Sequence, residues 1–136
     1  MSLNWPKPNH NYVPEYQVSG WPFVTSSTSN EVNSTPVNIR FPYVTSWVQV
    51  FNTDVTSGDT LRVGFTQNGV AGVAGANYLI LSGGQSTARL DLKSMNLWFL
   101  KHGANPTSFS IVAGLTNIDG ANFPIISGSN GFGGVG

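Results

Sequence analysis

The chain has 136 residues, enough for one domain with its own hydrophobic core. It contains no cysteine, which rules out disulfides, zinc ribbons and thiol nucleophiles. Only 9% of its residues are charged, against a usual ~25%, and the formal net charge is zero; long-range attraction to phosphate is therefore weak and nucleic acid is not an expected partner.

Serine, threonine, asparagine and 16 glycines carry the polarity instead. Such a surface has modest colloidal protection and suits a protein packed against others, although a plain neutral β-sandwich would look the same. No apolar run approaches the ~18 residues of a membrane span, so no membrane partner is expected. The opening run Met1-Ser2-Leu3-Asn4-Trp5-Pro6-Lys7 lacks the basic-then-apolar layout of a signal peptide.

Residues 1–22 read as an extended arm. Pro6, Pro8, Pro14 and Pro22 fix their own φ and bias the preceding residues towards extended backbone. Between them stand Trp5, Tyr12, Val13, Tyr16 and Trp21, more aromatic than a disordered linker. These five are the candidate partner-interface residues. The arm either folds back over its own sandwich or reaches a neighbouring subunit or partner. Burial of its aromatics roughly offsets the entropy of ordering it, so backbone hydrogen bonds or many cooperating copies would be needed to hold it.

Residues 23–126 carry the strand patterns. A first strand is expected from Phe23 to Thr28, followed by a polar loop in which Asn33-Ser34-Thr35 is a chance glycosylation triplet. Val37, Ile39 and Phe41 alternate with polar residues, the period of a half-buried strand. Val44 to Asn52 puts Val48 and Val50 on one face and Trp47, Gln49 and Phe51 on the other. Leu61, Val63 and Phe65 point inward in the next strand. Residues 67–76 read as a glycine-rich flexible loop, Tyr78 to Leu81 as a short buried strand, and Gly83-Gly84 as a turn. Ala88, Leu90 and Leu92 alternate with Arg89, Asp91 and Lys93, giving a strand whose outer face is solvated or salt-bridged across strands. Leu97 to Leu100 and Phe109 to Leu115 follow. Phe123-Pro124-Ile125-Ile126 is a short edge-strand candidate, and the glycine-rich residues 127–136 read as a mobile tail. About eight short strands and no sustained helical period predict an all-β fold: one antiparallel β-sandwich or jelly roll, with an N-terminal arm and a Gly-rich tail.

No chemistry announces itself. The acids Glu15, Glu31, Asp54, Asp59, Asp91 and Asp119 and the histidines His10 and His102 form no ligand-spaced cluster. There is no Gly-x-Ser-x-Gly elbow and no phosphate-cradling loop. No catalytic residue, cofactor or metal ligand is therefore named, and a non-enzymatic role is expected. Trp5, Trp21, Trp47 and Trp98 are available as aromatic platforms for sugar binding, but Trp47 and Trp98 read as core and Trp5 and Trp21 as packed along the arm.

As a set, Tyr12-Val13-Pro14-Glu15-Tyr16-Gln17-Val18-Ser19-Gly20-Trp21-Pro22-Phe23, Phe41-Pro42-Tyr43-Val44-Thr45, Leu61-Arg62-Val63-Gly64-Phe65, Asn77-Tyr78-Leu79-Ile80-Leu81 and Phe109-Ser110-Ile111-Val112-Ala113-Gly114-Leu115-Thr116 resemble the small β-sandwich virion proteins of tailed bacteriophages and related aquatic viruses, of the capsid decoration or cement type. The resemblance covers residues 12–116 in pieces, through strand and turn patterns rather than functional signatures. It implies a multi-copy virion subunit, assembled in the host cytoplasm, that binds the major capsid protein or other virion proteins and stabilises the shell. The alternative expectation is a carbohydrate- or receptor-binding module of a tail or fibre.

Overall fold

The structure is a computed structural model; it describes residue 10 and residues 21–27, 31–73 and 75–136. Among the described residues, seven strands form two antiparallel sheets packed face to face, a β-sandwich as the alternation predicts. β1 (Trp21–Ser26), β7 (Phe109–Leu115) and β3 (Thr45–Asn52) lie in that order in one sheet. The other has the order β2 (Val37–Arg40), β6 (Asn96–Lys101), β4 (Leu61–Gly64), β5 (Tyr78–Leu81). Four of the six steps between successive strands change sheets, so the contacts that close the core join residues far apart in sequence.

Strand alternation places the core where the sequence puts it. Val48 and Val50 of β3, Phe109, Ile111, Ala113 and Leu115 of β7, Leu61 and Val63 of β4, and Leu97 and Phe99 of β6 are all buried between the sheets. Phe99 and Phe109 stack across the middle with ring centroids 4.1 Å apart. Val44, Met95 and Ile118 form a smaller cluster at one end, with Phe123 packed against it.

Several expectations need correction. β1 starts at Trp21, inside the residues assigned to the arm, and ends at Ser26 rather than Thr28. Residues 88–92 are not a strand. The chain from 84 to 90 instead runs beside β3 through isolated bridges at Leu90 and Ser86, and Leu92 N–H folds back to Leu90 O as a three-residue turn. The Arg89–Asp91 ion pair lies within that run at 2.7 Å rather than across strands.

The expected loop at 67–76 contains a helix, α1 (Gln67–Ala71). The Thr66 hydroxyl accepts from Gly69 N–H at its start, and Gly72 closes it with φ 75°, a left-handed conformation suited to glycine. α1 lies on the outer face of the second sheet with Val70 fully buried, above a Gly64 whose missing side chain leaves room for it. β5 is an edge strand with Leu79 and Ile80 exposed, not a buried one. Residues 123–126 form no strand. The Gly-rich tail forms a 3-10 turn at Gly128–Asn130 and folds back, its Val135 carbonyl accepting from the Thr66 hydroxyl at 2.6 Å and Gly128 N–H donating to Gly136 O at 2.8 Å.

Candidate functional site

Of the five residues expected at a partner interface, Trp5, Tyr12, Val13 and Tyr16 lie outside the described residues. Trp21 is described and is 64% exposed at the start of β1, its indole N–H held by Asn117 Oδ1 at 2.9 Å. His10 touches its own subunit: its carbonyl accepts from Lys93 Nζ at 2.7 Å and its ring stands edge-on to Phe123.

Trp21 belongs to a larger surface. In an antiparallel ladder, alternate residues of an edge strand bond inward and the others present their N–H and C=O outward. Ser27 N–H donates to Phe109 O, continuing the β1–β7 register. Trp21, Phe23 and Thr25 therefore bond to β7, and Pro22, Val24 and Ser26 face the open side. Among the described residues no strand lies against that side. Val24 is 70% exposed and stands on the outer face, in line with the half-buried Val112 of β7.

The outer face continues across the sheet to β3. There a bulge between Thr45 and Trp47 brings Trp47 opposite Gly114, and the indole fills the space that a side chain at 114 would need. Trp47 is thus half-buried on the outside of the sheet rather than in the core, with the Arg89 guanidinium 5.4 Å from its ring centroid. Trp98, the other tryptophan expected in the core, is half-buried on the outer face of the second sheet.

The far edge of this sheet is closed. Val48 exchanges both backbone bonds with Leu90, Val50 O accepts from Thr87 N–H while Val50 N–H donates to the Thr87 hydroxyl, and Asn52 bonds Gln85 and Gly84. β1 is the edge of the first sheet left open among the described residues.

Two other places gather polar groups. Next to β2, a cavity of about 210 Å³ is lined by Arg40, Phe65, Met95, Phe123 and Ile126, and an adjoining one of about 300 Å³ adds Asp119. The Asp119 carboxylate is engaged in capping the 3-10 turn through Ala121 N–H, at 3.0 Å. On the outer face of the second sheet, Arg62 lies 4.4 Å above the Tyr78 ring, donates Nε–H to His102 Nδ1 at 3.1 Å and donates Nη1–H to Val70 O. This cation is spent on holding β4, β5 and α1 together. Among the described residues no three of His, Cys, Asp and Glu come together as metal ligands, and no helix is long and apolar enough to cross a membrane.

Sequence reasoning found Trp21 but not Val24, Asn117 or Arg40. A valine in a strand carries no sign of whether the strand is central or at an edge. Pro22 was the available signal, since a proline inside a strand belongs at an edge. No protein-family model matches the chain, and no curated protein sequence matches it.

Proposed function

We propose that this protein is a non-enzymatic structural subunit of a virus particle, of the capsid decoration or cement type, present in many copies and seated on or between major capsid proteins. The observation that carries the reading is the strand order. With residues 84–90 counted as a frayed strand beside β3, the two sheets run β1-β7-β3-(84–90) and β2-β6-β4-β5. That order supports a jelly roll, an architecture that viral capsid proteins share with lectins and cupins.

Fold alone leaves function open, and the surface supplies the second support. Among the described residues the first sheet offers an open edge and an outer face whose charge is the Arg89–Asp91 pair beside Trp47, while the acids and histidines described do not converge on a cavity. Many weak contacts repeated over a lattice would add up through avidity, so no single interface has to be strong. The resemblance of residues 12–116 to virion decoration proteins points the same way. Assembly would take place in the host cytoplasm.

Mass spectrometry and imaging of purified particles test this reading. The expected result is stoichiometric incorporation that is lost when residues 1–20 are deleted from a variant that still folds. A protein that stays soluble and is absent from particles overturns it.

Trp21 favours a second reading, a carbohydrate- or receptor-binding module on a tail or fibre. Its exposed indole is oriented by Asn117, as a stacking platform would be. Specific glycan-array binding that disappears in Trp21→Ala, with the fold intact, would promote it.

A further inference from the structure

The edge of β1, open among the described residues, is complementary to itself. Laid antiparallel against a second β1 with Val24 opposite Val24, it sets Pro22 opposite Ser26 on both sides of the centre. Pro22 has no N–H to offer, but its carbonyl accepts from Ser26 N–H of the other copy, and the two Val24 residues exchange both their bonds. Only the Ser26 carbonyls are left for water. The side chains agree with this register: Val24 meets Val24 and Pro22 meets Ser26 on the outer face, while half-buried Phe23 meets Thr25 on the other. An aromatic beside a β-branched residue is a favourable cross-strand pair.

Charge separates this edge from that of β2, and length separates it from the equally uncharged four-residue β5. β1 has the sequence WPFVTS, with no charged residue to repel a second copy, whereas Arg40 stands on the open side of β2. Edge strands that must stay single usually carry lysine or an inward charge. β1 has only Pro22, placed where it removes one bond from each symmetric pair. The other edge of the same sheet is already covered by residues 84–90.

We propose that two copies of this chain associate through β1, antiparallel and about a two-fold axis at Val24, so that their three-stranded sheets become one continuous sheet. The contact is isologous and closes on itself. It deepens the structural-subunit reading by naming how two copies meet, and it is tested in solution without a particle. Its failure therefore stays distinct from a failure of particle incorporation.

The absence of native cysteine makes the test direct. Val24→Cys places two thiols on a hydrogen-bonded pair whose Cα atoms are ~5.5 Å apart, inside the range a disulfide spans. On mild oxidation the full-length variant should give a disulfide-linked dimer far faster than Val55→Cys, whose position is fully exposed in the loop after β3. Sedimentation of the unmodified protein should show a concentration-dependent dimer. Val24→Lys, whose side chain leaves the core and the β1–β7 ladder untouched, should weaken that dimer by about tenfold or more with unchanged circular dichroism. A wild-type protein that sediments as a monomer throughout the micromolar range overturns the proposal. Equal cross-linking rates for the two cysteine variants, or a dimer indifferent to Val24→Lys, would do the same.

Discussion

Asn52 ties one end of the sandwich together, and replacing it by leucine should cost far more than its single side chain suggests. The residue is buried at the end of β3. Its amide nitrogen donates to Asp59 O at 2.8 Å and to Leu81 O at 3.0 Å, and its Oδ1 accepts from Asp54 N–H at 3.0 Å and from the Thr107 hydroxyl at 3.1 Å. Four partners therefore lose a bond in Asn52→Leu. Asp54 and Asp59 lie in a half-buried loop and can turn to water. Leu81 and Thr107 are buried and cannot. At roughly 1–3 kcal/mol for each polar group stranded in this way, less about 1 kcal/mol for the added apolar burial, the net loss is about 1–5 kcal/mol. Urea unfolding followed by tryptophan fluorescence measures it, since a domain of this size is expected to unfold in two states with an unchanged m-value. Adding Thr107→Val should recover part of the loss, because it removes the stranded hydroxyl along with its partner. A loss below about 1 kcal/mol, or strict additivity in the double variant, would refute this account of how the end is held.

Other expectations follow from close contacts. Phe109→Ala removes one ring of the central stacked pair and should destabilise the fold by about 3–5 kcal/mol in the same urea assay. Gly114→Val drives a side chain into the Trp47 indole; a loss of about 1–3 kcal/mol with altered tryptophan emission is expected, and neither change would appear if the indole were free to swing away. In Gly69→Ala the new methyl meets the Val135 carbonyl, so amide exchange should accelerate in residues 127–136 while β7 stays protected.

The sandwich was legible because its central strands alternate without ambiguity. Val48 and Val50, and Phe109 through Leu115, announce both the strand and the face it buries. The failures share a cause, which is that pairing is decided by residues far away. Ala88 to Leu92 alternates as well as any true strand, yet Thr87 gives its hydroxyl to Val50 N–H where a strand would give a carbonyl. The ladder thins to isolated bridges and the chain turns away at Leu92. α1 is too short for a periodicity search, and Gly69 stands within it. Its local signals were Thr66 before it and Gly72 after it, a cap at each end. The tail reads as mobile because glycine has no side chain to pack, but the absence of a side chain at Gly69 is what lets residues 135 and 136 lie against α1. At the candidate surface, Trp21 stood out by type. Val24 could not, since its exposure depends on what fails to sit beside β1.

The four outer edges of the two sheets show different treatments of one problem, the row of backbone groups that an unpaired strand presents. β3 is covered by residues 84–90, which satisfy Val48, Val50 and Asn52 without needing a regular strand. β2 turns Asn38 and Arg40 outward, and a guanidinium there resists a second strand of ordinary composition. β5 is only four residues long and begins at Tyr78, which is held beneath Arg62. Among the described residues β1 uses none of these devices except Pro22, and it is the six-residue strand whose outward side chain is a valine. A chain with 9% charged residues has little general repulsion to keep copies apart, so the contrast among the described residues between three protected edges and β1 is what the proposed β1 contact rests on.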